Sequence, residues 1–382
     1  MRIGLLGMGT IGSGVYEIVE ARGDMEIARV LDLRKIAGLG DRLTHRFEDI
    51  LDDPTIDTVV ELMGGLEPAR EFVVRALRAG KNVVSANKLM LSHHYAEVAQ
   101  AARDGGAAVR VSASVGGGIP YIHNLLRARR VDDILRVGGI VNGTTNLILD
   151  TMQTSGAGFE EVLREAQRLG YAEADPSSDI DGIDARSKIT IAMNVAFGGV
   201  ADTHDVPTEG IRRLTGADVG QFARMGRVCR FIARAQRLED GAVCASVEPT
   251  LVPADAPEAA VRRNDNMISF EGAYVGVQHF FGQGAGKFPT AYAVVEDLRD
   301  VAAHPGRSHL QAGLPPLRMD NRRAKRRYYL RTAAPVEIEA EALGQAGAGT
   351  AYITAPLSAA DMHALAARLR GFDGTTFFAA LR

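Results

Sequence analysis

The residues best suited to chemistry lie in one stretch near the middle of the chain. Tyr171-Ala172-Glu173-Ala174-Asp175-Pro176 runs into Asp179, Asp181, Asp184 and Lys188. Asp184 and Lys188 are four residues apart, so a helix would put them on one face. The spacing fits three chemistries. A surface ion pair, worth roughly a few tenths of a kcal/mol, is the plainest. The apolar residues that follow, Ile189, Ile191, Ala192 and Val195, predict instead a buried helix. A lysine there needs a partner, and burial lowers its pKa toward the range useful for proton transfer. The carboxylates could also hold a divalent ion, although Asp179-x-Asp181-Gly182 lacks the full calcium-loop pattern.

Two further motifs precede this one. Gly7-Met8-Gly9-Thr10-Ile11-Gly12 is G-x-G-x-x-G between a predicted strand and a predicted helix. Such a loop brings backbone and free helix N–H groups against a dinucleotide pyrophosphate. Asp32 ends the next predicted strand, where a carboxylate takes the adenine ribose 2′-OH of NAD. Arg34 and Lys35 stand ready for the 2′-phosphate of NADP, so the reading favours NAD only slightly. Asn142-Gly143-Thr144-Thr145-Asn146 follows a strand and opens a helix. Its polar groups either cap that helix or hold a polar substrate.

The elements that position these motifs change character along the chain. Short apolar strands at 2–6, 26–31, 57–61, 82–85 and 108–113 alternate with helical patterns, among them 67–78 and 92–103. That alternation predicts a Rossmann-type, doubly wound parallel α/β sheet over residues 1–120, completed by a return segment near 284–305. Residues 121–283 predict an α+β second domain, to which the resemblance described below assigns catalysis and dimerisation. It has a strand at 133–141, helices at 145–152, 159–169, 183–196 and 218–234, and strands at 242–252 and 267–281. A helix is expected near 290–297. Residues 304–327, with RRAKRR at 322–327, read as a solvated basic linker. Residues 322–382 predict a small module with strands at 328–332, 336–342, 350–354 and 375–381 and a helix at 358–370.

Composition narrows the function. Lys+Arg 44 against Asp+Glu 47 gives a net charge of −3, with no basic excess for nucleic acid. No stretch is long and apolar enough to span a membrane, and the N-terminus lacks a signal peptide's apolar core, so a cytoplasmic protein is expected. Cys229 and Cys244 form neither a disulfide framework nor a zinc motif. Glycine supplies 42 of 382 residues, roughly 11% against an average near 7%, which suits many tight turns and close approaches to a ligand.

The separated stretches GMGTIGSG (7–14), DTVVELMGG (57–65), NVVSANK (82–88), SVGGGIP (114–120), GGIVNGTTNLIL (138–149), LGYAEADPSSDIDGIDARSK (169–188) and GQGAGKFPTAYAVVEDL (282–298) together resemble the homoserine dehydrogenase family. The resemblance covers roughly residues 1–300. It implies NAD(P)-dependent interconversion of L-homoserine and L-aspartate 4-semialdehyde, on the way to threonine, methionine and isoleucine. It also implies a homodimer acting on a small molecule. By motif, Lys188 matches the catalytic lysine, and Lys88 matches a lysine near cofactor and reacting carbon. Glu173, Asp184 and Asp179 match substrate-binding carboxylates; Gly143, Thr144 and Tyr171 match the substrate lining. Gly7, Gly9, Thr10, Ile11, Gly12, Asp32 and Arg34 fall on the cofactor side, with Gly284 and Ala285 in a loop closing over it.

Three departures from the family are visible. Ser112 replaces a glutamate beside a monovalent-cation site (Na⁺ or K⁺) around Val115, Gly117 and Ile119, which weakens that implication. The usual G-P-G-A-G loop reads Gly282-Gln283-Gly284-Ala285-Gly286. The tail begins like a regulatory ACT domain but lacks its D-x-P-G loop and first helix, so it reads as a degenerate ACT-like remnant or an unrelated cap. These departures keep two alternatives open: a related amino-acid aldehyde or alcohol as substrate, and a nucleotide-binding regulatory protein without turnover.

Overall fold

The computed structural model describes residues 1–382, which divide into two compact units. The first comprises Met1–Asp133, Thr190–Asp202 and Gly282–Leu317. Its parallel strands lie in the order Leu43–Thr44, Glu26–Leu31, Arg2–Leu6, Thr58–Glu61, Asn82–Ser85, Val109–Arg110. The order reverses between Arg2–Leu6 and Thr58–Glu61, the doubly wound pattern anticipated. Such sheets bind ligands beyond the strands' carboxyl ends at that reversal. Ile3, Leu5, Val59, Val60, Val83 and Val84 exclude solvent completely. Continuous apolar strands of this kind must be covered on both faces. Helices Thr10–Arg22 and Lys287–Ala303 share a core with Ile3 and Leu5, through Val15, Val19, Val294 and Leu298.

The second unit comprises Ile134–Ile189, Thr203–Phe281 and Arg318–Arg382. It is built on a nine-stranded mixed sheet. The order is Gly276–Gln283, Asp265–Gly272, Ile134–Ile140, Arg227–Arg237, Val243–Pro253, Phe377–Leu381, Tyr328–Thr332, Gly349–Thr354, Ala340–Ala346. The C-terminal strands continue this sheet: Phe377–Leu381 joins Val243–Pro253 in parallel, Ala380 opposite Thr250. Tyr328, Leu330, Met362, Leu365, Leu369 and Phe378 form the core under the helix Ala359–Arg370.

Four expected elements differ. The helix expected over 218–234 ends at Arg224, and Arg227–Arg237 is a strand. Gly226 stops the helix with a left-handed φ of 64°. The strand at 267–281 is a hairpin, Asp265–Gly272 and Gly276–Gln283, turning before Gly276. The stretch 108–113 pairs only at Val109–Arg110 before a tight turn at Ser112–Ser114. The strand at 336–342 lies instead at Ala340–Ala346, beyond Pro335, which has no N–H for a ladder.

Candidate active site

The glycine loop closes the strand Arg2–Leu6 and opens the helix Thr10–Arg22. A Cβ on Gly12 would stand 2.0 Å from the Gly7 carbonyl oxygen, so no larger residue fits there. Gly9 is the N-cap, no side chain caps the helix, and its first turn holds no acidic residue. A Cβ on Gly9 would meet nothing within 4 Å. The N–H groups of Thr10, Ile11 and Gly12 have no intrahelical acceptor. An anion placed here gains those donors and the helix dipole. These residues fit a dinucleotide pyrophosphate.

Asp32 stands just past the strand Glu26–Leu31. Its Oδ2 accepts Met8 N–H at 2.8 Å and Arg34 Nη2 at 2.8 Å; its Oδ1 accepts Arg34 Nε at 2.9 Å. The Arg34 hydrogen bonds hold the Asp32 carboxyl well below the usual carboxylate range. Arg34 Nη2 also donates to the Met8 carbonyl at 2.9 Å. The two residues expected to read the 2′ position are therefore one interlocked pair clamped to the glycine loop.

Lys88 is the first residue of the helix Lys88–Gly105, capped by Asn87, whose Oδ1 accepts Met90 N–H at 3.1 Å. Gly284 and Ala285 lie in the turn before Lys287–Ala303. The Gly284 carbonyl oxygen would stand 2.6 Å from a Cβ on Gly117, so this turn rests on the Val115–Ile119 loop. That loop does not fit a cation held by charge. Ser112 brings no carboxylate, and its N–H donates to Asp297 Oδ2 at 2.8 Å. The Ile119 carbonyl accepts Tyr121 N–H at 2.7 Å.

The second unit holds the carboxylates and the lysine. The strand Ile134–Ile140 leads into Val141 and Asn142, and Asn142 caps the helix Gly143–Ser155. Asn142 Oδ1 accepts Thr145 N–H at 2.9 Å. Its Nδ2 donates to Asp179 Oδ1 at 2.7 Å and to Asp184 Oδ2 at 2.8 Å. One amide thus holds two carboxylates side by side. Lys188 Nζ donates to the same Asp184 Oδ2 at 2.7 Å and to the Val141 carbonyl at 2.7 Å. Lys188 is 8% exposed and Asp184 6%, so the i, i+4 pair is buried. Burying both charges has a desolvation cost that a bland stabilising pair would not repay well. Burial, then the Asp184 charge, push the Asp179 carboxyl up, and the Asn142 bond opposes them.

Around this cluster, Thr144 Oγ1 donates to the Tyr171 carbonyl at 2.9 Å. Tyr171 and Glu173 are exposed, and the Glu173 carbonyl accepts Gln167 Nε2 at 3.0 Å. The structure brings Lys188, Asp184 and Asp179 into one network beside Gly143 and Thr144. It leaves the Glu173 carboxylate outside that network. Asn142, the residue that ties the network together, lies in the stretch expected either to cap a helix or to hold a polar substrate. Its signal was an amide at the junction of strand and helix.

A doubly wound sheet with a glycine-loop anion cradle, joined in one chain to a buried lysine–carboxylate cluster, defines a nicotinamide-dependent oxidoreductase. Residues 7–112 match the family model "Homoserine dehydrogenase, NAD binding domain", and residues 120–298 match "Homoserine dehydrogenase". Homoserine dehydrogenase of Bacillus subtilis is 41% identical over 313 residues, 78% of this chain and 72% of that one. The Synechocystis enzyme is 40% identical over 332 residues, 83% and 77% of the two chains. The solved structure of a homoserine dehydrogenase from Thiobacillus denitrificans has a TM-score of 0.89 at 34% identity, covering 100% of this chain and 98% of that one. The chain belongs to the homoserine dehydrogenase family.

Proposed function

We propose that this protein interconverts L-homoserine and L-aspartate 4-semialdehyde, serving threonine, methionine and isoleucine biosynthesis, with Lys188 as acid and base. The observation that carries this reading is the network of buried Lys188, Asp184 and Asn142 with half-buried Asp179. Lys188 uses two of its three N–H bonds on Asp184 and Val141; an ammonium has a third to offer a substrate oxygen. In reduction Lys188 gives its proton to the carbonyl oxygen as negative charge develops there. In oxidation it takes the hydroxyl proton back. Asp184 fixes the direction of the ammonium. A bound nicotinamide supplies or accepts the hydride at the substrate's terminal carbon.

The carboxylates have a second use. The substrate carries its own ammonium, and Glu173 with Asp184 and Asp179 provides charge-assisted acceptors for it. Gly143, Thr144 and Tyr171 line the rest of that subsite. Lys88 adds positive charge near the reacting carbon. Gly7, Gly9, Thr10, Ile11 and Gly12 hold the pyrophosphate, and Gly284 and Ala285 close over the cofactor. Asp32, with Arg34 bound to it, favours NAD over NADP. The first unit thus serves the cofactor and the second the chemistry. No helix is long and apolar enough to cross a membrane; on family grounds we place the protein in the cytoplasm as a homodimer, which light scattering checks.

The deciding experiment follows reduced-nicotinamide absorbance with L-homoserine and either NAD or NADP. Turnover of homoserine supports the reading. Turnover only with other amino alcohols, or nucleotide binding with none, removes it.

A further inference from the structure

The cofactor side of the first unit contains one buried carboxylate with no role so far. Glu61 ends the strand Thr58–Glu61, at the edge where doubly wound sheets bind their ligands, and it is 0% exposed. Its Oε1 accepts Met63 N–H at 2.9 Å, Gly64 N–H at 3.3 Å and Asn87 Nδ2 at 3.4 Å. Its Oε2 accepts Ser85 Oγ at 2.7 Å. A carboxylate buried this deeply is tolerated only when donors surround it, and here they come from two different turns.

Each of those turns touches a group assigned above to the cofactor. Asn87 donates its own N–H to Ser85 Oγ at 3.1 Å and its Nδ2 to the Gly65 carbonyl at 2.8 Å, and it caps the helix that Lys88 opens. The backbone of Leu62 and Met63 packs directly on the glycine loop: a Cβ on Gly7 would stand 2.9 Å from the Leu62 carbonyl oxygen. The glycine loop, the Leu62–Gly65 turn and the Ser85–Lys88 turn therefore meet around one carboxylate.

We infer that Glu61 is a positioning residue of this dehydrogenase, locking those three turns into one rigid floor for the dinucleotide and fixing Lys88 on it. This rests on the reading of Lys88 and the glycine loop as cofactor-binding. Protein donors already surround both Glu61 oxygens, so Glu61 acts through the turns and not by touching the ligand. A carboxylate that merely stabilised the fold would change the melting temperature and leave binding and turnover of the folded enzyme alone.

The test compares Glu61→Ala, Glu61→Gln and Ser85→Ala in the full chain. Nucleotide Kd is read from the fluorescence of NADH and NADPH, kcat from homoserine turnover, and folding from circular dichroism. Gln keeps an acceptor for Met63 and Gly64, and its amide faces a hydroxyl that can turn to accept. In folded Glu61→Ala, Kd rises about tenfold through the lost hydrogen bonds that hold the turns. A displaced Lys88 lowers its kcat by about 10²-fold. Glu61→Gln returns both close to wild type. Folded Glu61→Ala with unchanged Kd and kcat overturns the inference, as does equal loss in Glu61→Gln. Should Glu61→Ala fail to fold, Ser85→Ala decides: a weakened nucleotide Kd supports the inference and an unchanged one overturns it. The Kd arms need no substrate. A wild type that binds nucleotide but leaves homoserine untouched would therefore remove the proposed reaction while these arms still judge Glu61.

Discussion

Arg34 grips Asp32 at two points, Nε to Oδ1 at 2.9 Å and Nη2 to Oδ2 at 2.8 Å, while Met8 N–H holds the second oxygen at 2.8 Å. A ribose hydroxyl need only donate to this carboxylate, which Arg34 keeps ionised. A 2′-phosphate must instead draw Arg34 away and face the Asp32 charge. Steady-state kcat/KM is therefore expected to be higher with NADH than with NADPH. Asp32→Ala releases Arg34 and should move that ratio toward NADPH by about tenfold or more, the worth of one charge-assisted contact. A wild type that prefers NADPH would show that the pair opens readily.

Asn142 bridges Asp179 and Asp184 while Lys188 holds the shared Asp184 oxygen. Lys188→Ala should lower kcat by about 10²–10⁴-fold, the usual range for a lost general acid and base. Its NADH affinity, measured by fluorescence, should stay at the wild-type value. Asn142→Ala acts differently. It removes a helix cap, costing about 1 kcal/mol of stability. It also frees two carboxylates to repel one another, so the KM for homoserine should rise more than kcat falls. Near-normal turnover by Lys188→Ala would end its assignment as acid and base.

The first sheet was legible because its strands are short apolar runs, such as Ile3–Leu6 and Val59–Val60, separated by helical periodicity. The second was harder to read for a physical reason. Arg227–Arg237 pairs with strands on both sides, and seven of its eleven residues are buried without alternation. Residues VCRFIA offer neither a clean period of 2 nor of 3.6, so the run merged with the helix before it. Gly226 was the available stop signal. The same limit applied to the site. Asp184 and Lys188 are neighbours along a helix, so spacing alone paired them. Asp179 and Asn142 are 37 residues apart, and only the fold shows that one amide serves both carboxylates. The C-terminal strands looked like an appendage because no local pattern reveals that Phe377–Leu381 pairs with Val243–Pro253.

Two buried groups in the first unit titrate in opposite senses. Burial pushes the Asp297 carboxyl up to about 7, while hydrogen bonds from the Ser112 side chain and N–H oppose the rise. Burial, then the Arg110 charge, push His309 down to about 3. Asp297 keeps its proton when folded and loses it near pH 4 when unfolded, so its contribution to stability falls as pH climbs from about 4 to about 7. His309 is neutral when folded and protonated when unfolded below about pH 6.5, so its contribution rises from about 3 to about 6.5. The two slopes offset one another over much of the acid range. Asp297→Asn removes one of them. Its melting temperature relative to wild type should rise by about 3 °C between pH 5 and pH 8. A difference independent of pH would show that Asp297 titrates like an ordinary carboxylate.

Within the second unit the C-terminal strands are fastened to the helix Gly216–Arg224 through a charge that is fully buried. Asp218 is 0% exposed; its Oδ1 accepts Arg331 Nε at 2.8 Å and the Tyr329 hydroxyl at 2.8 Å. Its Oδ2 accepts Thr215 N–H at 2.9 Å, so the same carboxylate caps the helix Gly216–Arg224. The Tyr329 ring meets Phe222 edge-on, with centroids 4.9 Å apart. Arg331→Met keeps the length of the side chain and removes the cation. Asp218 is then left buried with neutral donors only, which costs about 3–5 kcal/mol. In a chain of 382 residues that lowers the melting temperature by about 4–6 °C. Asp218→Asn added to Arg331→Met should recover part of the loss, because the unpaired charge is gone. Neither residue bonds to Lys188, Asp184, Asp179 or Asn142, so homoserine turnover at 25 °C should stay near wild type. If the melting temperature does not move, the C-terminal strands are a loosely docked extension. If it falls as stated, they are an integral part of the second unit's sheet.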